Sequence, residues 1–368
     1  MFVILFSKEN RLCYSAGHCT MVFYFYEDAM QSVRKISVDG LVPNSYHLSH
    51  WVGNETPAAL KADTSTEIAL NFISDVHYKS LFPNANILTN NHFDTDGLLS
   101  VFTLLYPDKA ENIAKTLIDT AEACDFLSFS SEDGVKINIL IAEICHAEKS
   151  PFRKQWKRFS GPKESIYYKT LLQELPGIIK QKDEYSNLWR GKFDKIVASM
   201  EMFEKRAIWV QEYNDVGLTV VINDVKPAPQ AIDYYCKGDI FLIIEDNGRP
   251  NGRDKGRYGY ELSYRYYSWA DTIRRPHISK LSTTHLAEYL NRNEKASIGK
   301  WRSPTPDQPF DSTKVLSFTD DRGAPRLSTI PPDEVTKSVL SHLEKIKRET
   351  LGSVKEYAQM FHVEHYQK

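Results

Sequence analysis

The chain has 368 residues, of which 42% are hydrophobic and 26% are charged, and its formal net charge is −2. This length favours two domains, or one domain with a large appendage, and the charge excludes the extended basic field of a protein that coats nucleic acid. No apolar stretch approaches the roughly 20 residues of a membrane helix. The five cysteines are scattered, without the spacing of a zinc knuckle or a disulfide scaffold. We therefore expect a cytoplasmic protein with reduced thiols.

The amino end carries no functional expectation. Residues 1–20 stand before an aromatic run at residues 21–26, and Met21 is a candidate natural start. The first apolar run is too short for a signal peptide, and charged residues follow it.

The first motif in chain order is a strand followed by a helix. Residues 46–51 alternate as a strand does, with His47 on one face and His50 on the other. Thr56 and Pro57 then predict the start of a helix that continues to about residue 74. The alternative is two shorter helices, with Asp63 as the cap of the second.

A second strand, a polar loop and a second helix follow. Residues 87–90 are apolar enough for a buried strand, Gly97 permits a tight turn, and residues 98–106 predict a packed helix. The order strand, helix, strand is that of a parallel crossover unit. It places His50 and the loop after Asn90 at the same edge of one sheet.

The polar loop carries three potential metal ligands, His92, Asp94 and Asp96. If the loop is extended, their side chains project to the same side, about 6 to 7 Å apart. Carboxylate oxygens with one imidazole favour Mn²⁺ or Mg²⁺ over a thiolate-type zinc site. The alternative is an Asp-rich turn that caps the helix, with Asp96 or Asn91 as the N-cap and His92 merely exposed.

Residues 92–100, His-Phe-Asp-Thr-Asp-Gly-Leu-Leu-Ser, resemble the first motif of the DHH phosphoesterase superfamily. Its members include single-strand exonucleases, oligonucleotide and cyclic-dinucleotide phosphodiesterases and inorganic polyphosphatases. The resemblance implies that His92, Asp94 and Asp96 hold manganese and that Gly97 is the turn residue. No Asp-His-His triplet follows in the chain, so the resemblance supplies neither the ligands of a second metal nor the phosphate-binding residues.

A second resemblance covers more of the chain. Residues 48–51, 53–57 and 62–67, followed by the Asp94 motif, are similar to an uncharacterised bacterial protein family, which implies no activity. Its first segment contains His50, which is a candidate ligand or general acid because of its place at the same sheet edge. The alternative for His50 is packing beside Trp51.

Two further residues are candidates by the first resemblance. A helix is predicted over residues 110–124 with Asp125 at its end, and residues 137–147 predict a buried helix or strand that carries His146. The DHH superfamily has an Asp and then His residues downstream of its first motif, which makes Asp125 and His146 candidate substitutes. The alternative for Asp125 is a solvated residue at a helix end.

Residues 149–168 interleave basic and aromatic side chains. Such a segment can hold phosphates and stack on bases. The alternative is a connector between domains whose aromatic residues pack and whose charges are solvated.

The rest of the chain predicts an α+β unit. Residues 171–207 predict long amphipathic helices interrupted near Pro176, residues 208–213 and 218–222 predict a hairpin, and two more strands follow. Residues 247–257 form a glycine-rich basic loop that can close over an anion through guanidinium groups, or can be a solvated hairpin loop. The candidate substrate-binding residues are Arg249, Arg253, Arg257 and Arg265.

We therefore expect an α/β fold in four segments. Residues 21–150 form a parallel-sheet, metal-binding domain, residues 151–169 a connector, residues 170–303 an α+β domain with an antiparallel sheet, and residues 304–368 an irregular tail with a terminal helix.

The function expected is that of a divalent-metal-dependent hydrolase of a phosphate ester. His50 and Asp94 are the candidate catalytic residues, and the substrate is an anionic small molecule or a short nucleotide. The alternatives are a non-catalytic binding or scaffold protein, and a biosynthetic enzyme that uses the loop for other metal chemistry.

Overall fold

The structure is a computed structural model that describes residues 12–13, 21–75, 77–146, 148–246, 256–278, 280–304 and 313–364, with side chains from residue 21 to residue 349 apart from those of residues 78 and 79. The strands are β1 (Leu12–Cys13), β2 (Val22–Phe23), β3 (Lys35–Val38), β4 (Ser45–Leu48), β5 (Ile87–Thr89), β6 (Trp209–Tyr213), β7 (Leu218–Asn223), β8 (Ile240–Asp246), β9 (Tyr258–Tyr264), β10 (Lys300–Arg302) and β11 (Lys314–Thr319).

The α-helices are α1 (Ser65–Ser74), α2 (Tyr78–Leu81), α3 (Thr95–Leu105), α4 (Pro107–Glu111), α5 (Ala114–Asp125), α6 (Glu132–His146), α7 (Arg153–Trp156), α8 (Lys163–Lys180), α9 (Ser186–Glu204), α10 (Pro229–Tyr235), α11 (Thr284–Asn293) and α12 (Pro332–Glu364).

The chain divides into two compact units. The first contains Met1–Ser199, Pro229–Tyr234 and Trp269–His277, and the second contains the remaining segments. The sequence places domain boundaries at residues 150 and 170 instead. Helix α8 belongs to the first unit, because it contacts α3 and α6 and its side chains Tyr168 and Leu171 are buried.

The first unit is built on a sheet of order β1-β2-β5-β3-β4. Strands β2, β5, β3 and β4 run parallel, and β1 pairs antiparallel with β2. Strand β5 is central, and every residue of β3 is buried, as expected in a covered parallel sheet. The predicted α/β class is confirmed, and the loop after Asn90 lies at the carboxyl end of the central strand.

The predicted start of the first helix is wrong. Residues 57–60 form only a turn, and α1 begins at Ser65 with Thr64 as its N-cap, whose hydroxyl accepts from the Glu67 amide at 3.2 Å. Asp63 is not the cap, because its carboxylate accepts instead from the backbone amides of Ile273 and Arg274.

The other helix boundaries also differ in detail. The helix predicted over residues 110–124 is divided into α4 and α5, and the predicted interruption near Pro176 does not occur. Helix α8 continues through Pro176 because Leu175 and Ile178, on either side of it, are buried anchors. The break between the long helices comes after Lys180.

The second unit contains a sheet of order β10-β11-β9-β8-β7-β6. The predicted hairpin of β6 and β7 is confirmed. The sheet is mixed, because β7 and β8 are parallel and are joined by a connection long enough for a crossover. Strand β11 lies in the predicted irregular tail and pairs with β9 and β10, since Val315, Leu316 and Phe318 are buried.

Candidate metal centre

The ends of three parallel strands meet at one edge of the first sheet. Asp39 follows β3 directly, His50 comes two residues after β4, and the loop that carries His92 and Asp94 follows β5. Asp125 joins them as the last residue of α5. Ligand sites in open α/β sheets occur at this edge, because the loops after the strands converge there.

His50 is held with one ring nitrogen toward three carboxylates. Its Nδ1 lies 2.6 Å from the carbonyl oxygen of Asp63, which can only accept, so Nδ1 carries the hydrogen. The Nε2 atom therefore faces the carboxylates. It lies 3.1 Å from Asp125 Oδ2, 3.4 Å from Asp39 Oδ1 and 3.7 Å from Asp96 Oδ2. This arrangement is typical of a metal-ligating histidine fixed by a backbone carbonyl.

His92 forms a second group with the other oxygen of Asp39. Its Nε2 lies 3.3 Å from Asp39 Oδ2 and 3.2 Å from Asp94 Oδ2. The side chains of His92 and Asp94 are 28% and 34% exposed, whereas that of Asp39 is 1% exposed. The second group is therefore the accessible side of the centre.

Three sets of side chains bring their ligand atoms within 4.8 Å of one another. They are Asp39, His50, Asp96 and Asp125; Asp39, His92 and Asp94; and Asp94, Cys124 and Asp125. Each pair of sets shares one carboxylate. Asp39 joins the first and second sets, Asp94 the second and third, and Asp125 the first and third.

Three buried ligand atoms in the centre lie within ion-pair distance of an imidazole or a carboxylate but form no hydrogen bond of good geometry among the described residues. They are Asp39 Oδ2, His50 Nε2 and Asp125 Oδ2. A buried polar atom without a partner is costly, typically by about 1 to 3 kcal/mol. His50 Nε2 and Asp125 Oδ2 lie 3.1 Å apart, and Asp39 presents Oδ1 to His50 and Oδ2 to His92, so the residues present fit a divalent ion.

The pKa values of the carboxylates are shifted by burial and by the neighbouring charged groups. Burial raises the pKa of Asp96 well above its ordinary value, and the charges of Asp125 and Asp39 raise it further. Burial also raises the pKa of Asp125, to about 6. Burial acts on Asp39 in the same direction, but the interactions with His50 and His92 outweigh it and lower its pKa.

Burial has the opposite effect on the pKa values of the histidines, but neighbouring carboxylates outweigh it. Burial lowers the pKa of His92, but Asp39 and Asp94 outweigh it and raise the pKa to about 11. The pKa of His50 is also raised well above its ordinary value, chiefly by Asp125 and Asp39 against the effect of burial. The centre thus favours positive charge on its imidazoles, which a bound divalent ion would replace.

Asp94 and Asp96 also cap helices. Asp94 is the N-cap of α3, and its Oδ1 accepts from the Gly97 amide at 2.8 Å. Asp96 accepts from the amides of Ser65 and Thr66, each at 2.8 Å, and so caps α1 across space. The alternative prediction, in which Asp96 or Asn91 is the N-cap of α3, is therefore wrong about the residue. The loop does cap α3, but through Asp94.

Gly97 allows the loop and α3 to approach closely. A Cβ atom there would lie 2.5 Å from Asn90 Nδ2, 2.7 Å from the Tyr168 hydroxyl and 3.0 Å from Asp39 Oδ2. The Tyr168 hydroxyl accepts from Asn90 Nδ2 at 3.0 Å and donates to the His92 carbonyl at 3.2 Å. This buried tyrosine therefore fixes the strand end and the loop together.

The structure brings most of the predicted site residues together. His50, His92, Asp94 and Asp96 lie in the centre, and so does Asp125, which is nearly buried rather than solvated. His146 is exposed at the end of α6 and is in none of the sets. Sequence reasoning missed Asp39, Cys124 and Tyr168; the one signal available was an Asp-Gly pair directly after a buried apolar strand.

The predicted substrate-binding arginines do not belong to the first unit. Arg249 and Arg253 lie outside the described residues, and Arg257 and Arg265 are in the second unit. The Arg265 guanidinium donates to the carbonyl oxygens of Gly238, at 2.9 Å, and Cys236, and lies over the Phe241 ring. These contacts give Arg265 a structural role within its own unit.

A family model covers residues 20–352, and its description is "Family of unknown function (DUF6687)". The chain belongs to this family. The DUF6687 match includes β2 to β11 and every residue of the candidate metal centre, so the expectation of an uncharacterised family is confirmed. No curated protein and no solved structure matches the chain. None of the helices in the described ranges is long and apolar enough to span a bilayer.

Proposed function

We propose that the first unit is a divalent-metal-dependent hydrolase of phosphate esters. The observation that carries the proposal is the convergence of Asp39, His50 and Asp125, each of which has a buried side-chain atom that forms no hydrogen bond among the described residues. Burying such atoms without a ligand is costly. A cation explains why they lie together.

The donor atoms of the first two sets favour Mn²⁺ or Mg²⁺. Carboxylate oxygens outnumber imidazole nitrogens in each set, and oxygen-rich sites suit these hard ions. Asp39 directs one oxygen toward each set, as a carboxylate that bridges two ions does. Bound ions of this kind lower the pKa of a water molecule and neutralise charge on a phosphoryl group.

The structure changes the role proposed for His50. A general acid must reach the substrate, but the His50 side chain is fully buried, and its Nδ1 is committed to the Asp63 carbonyl. We therefore assign His50 as a ligand. His92 and Asp94, on the accessible side, are the residues that a phosphate would meet first.

The basic and aromatic segment supplies a place for the organic part of the substrate. A pocket of about 560 Å³ is lined by Arg153, Trp156, Lys157, Lys163 and Tyr167 among others. The Tyr167 ring packs on Phe93 in the metal loop, with 5.3 Å between ring centroids. This contact places one wall of the pocket beside the metal loop. Because basic side chains bind phosphates and aromatic side chains stack on bases, we propose a short nucleotide as the substrate class.

The direct test is a manganese-supplemented screen of the full-length chain over short oligonucleotides, cyclic dinucleotides, pyrophosphate and aryl phosphates. Wild type is expected to hydrolyse at least one class, and Asp94→Asn is expected to lose that activity while remaining folded, because Asn is as good an N-cap as Asp. Circular dichroism checks the fold. Equal activity in wild type and Asp94→Asn would refute the assignment.

The pocket has its own expected result. Replacing both Lys157 and Lys163 by Gln should raise the KM for a dinucleotide about fivefold and leave kcat unchanged, because exposed charge contacts away from the reacting bond contribute about 1 kcal/mol or less. Lys154→Gln is the matched control, since Lys154 is exposed on the same segment but does not line the pocket. An equal change in Lys154→Gln would show that the effect is only general charge.

A further inference from the structure

The third set of ligand atoms differs from the others because it contains sulfur. Cys124 and Asp125 are consecutive residues in the last turn of α5, and their ligand atoms lie within 4.8 Å of one another and of Asp94. Asp125 Oδ2 is buried without a hydrogen-bond partner in the described part of the chain. This oxygen lies 3.1 Å from His50 Nε2, so Asp125 stands between the His50 set and the thiol. A thiol beside two carboxylates has the donors of a metal position.

We propose that Asp94, Cys124 and Asp125 form a metal position that binds a borderline or soft divalent ion, of the class of Zn²⁺, Co²⁺ or Cd²⁺. This inference rests on the proposed function, because it names the ion for one part of the same centre. Thiolate sulfur selects such ions over Mn²⁺ and Mg²⁺, which prefer the oxygen-rich sets. The centre therefore has two kinds of position with different ion preferences.

Binding at this position changes the protonation of one group. The Cys124 thiol releases its proton to solvent as the sulfur–metal bond forms, and the carboxylates of Asp94 and Asp125 offset the charge of the ion. Asp94 is shared with the His92 set and Asp125 with the His50 set. An ion held by Cys124 therefore shares one ligand residue with each oxygen-rich position.

The test uses Cd²⁺ and Co²⁺ as probes on the full-length chain after treatment with chelator and its removal. Wild type is expected to develop a sulfur-to-metal charge-transfer absorption that saturates near about one ion per chain. Cys124→Ser should lose the band. Cys145→Ser is the matched control and should keep it, because Cys145 is buried on α6 and belongs to none of the ligand sets among the described residues.

A second measurement needs no variant. Cysteine alkylation in wild type, mapped by mass spectrometry, should show that Cd²⁺ protects Cys124 and leaves Cys145 and Cys236 unchanged. No charge-transfer band in wild type, a band that survives Cys124→Ser, or alkylation of Cys124 at the same rate with and without Cd²⁺ would each overturn the proposal.

These outcomes are separate from those of the proposed function. Manganese-dependent hydrolysis by wild type without a charge-transfer band would leave the hydrolase in place and remove the sulfur position. A Cys124-dependent band in a protein that hydrolyses no phosphate ester would do the reverse.

Discussion

Asp39→Asn is expected to lower Mn²⁺ affinity by at least about 100-fold, because loss of a partner outside the coordination shell already costs about 10- to 100-fold and Asp39 is placed as a ligand. Asp39 is the only residue shared by the first two sets, so both positions lose a carboxylate oxygen. Hydrolysis of the substrate found in the screen should fall with metal binding. Isothermal titration with Mn²⁺ and the activity assay measure the two losses.

The substitution is chosen to preserve the backbone. Asp39 has a φ of 52°, in the left-handed region that Asn tolerates well and most other residues do not. Asn also keeps an oxygen to accept from the Ser65 hydroxyl, now 2.9 Å from Asp39 Oδ1. A folded Asp39→Asn protein with wild-type Mn²⁺ affinity would remove Asp39 from the centre.

Asp96→Ala is expected to destabilise the first unit by about 2 to 4 kcal/mol, because the amides of Ser65 and Thr66 lose their acceptor and remain buried. Removing a crowded carboxylate relieves some repulsion, but two orphaned buried amides cost more. Urea unfolding in the presence of chelator measures the loss without any contribution from bound metal.

Asp94→Asn is the control for this result and should change stability by less than about 0.5 kcal/mol, since Asn replaces Asp well as an N-cap. In the sequence, both residues belong to one polar loop, and no local pattern distinguishes their contributions to stability. The structure separates them, because Asp96 is fully buried and Asp94 is partly exposed. Equal stability of Asp96→Ala and wild type would show that α1 does not depend on this cap.

The part of the centre that follows β5 could be predicted from sequence because its signals are local. An apolar run, alternating His92, Asp94 and Asp96, and a glycine lie within a dozen residues, and the order of strands and helices places them at a sheet edge. His50 could be added by the same topological argument, although β3 lies between its strand and β5.

The remaining residues come from elements whose proximity no local pattern encodes. Asp39 follows β3, and Cys124 and Asp125 end α5. The burial of Asp125 depends on long-range packing, so its sequence context is that of an ordinary helix end. Strand β11 could not be predicted for a related reason. Its proline-rich surroundings indicate irregular structure, and it is a strand because it pairs with β9, which is distant in the sequence, and with β10, which is short.

The measurement that tests the central claim most directly is the metal content of the full-length protein purified without chelator, by elemental analysis, with Asp39→Asn prepared in parallel. The account predicts that wild type, supplied with Mn²⁺ and freed of unbound ions, retains about two ions per chain, as bridged centres do, and that Asp39→Asn retains fewer. Wild type that retains neither Mn²⁺ nor Mg²⁺, with no difference from Asp39→Asn, would contradict the account and favour a scaffold protein.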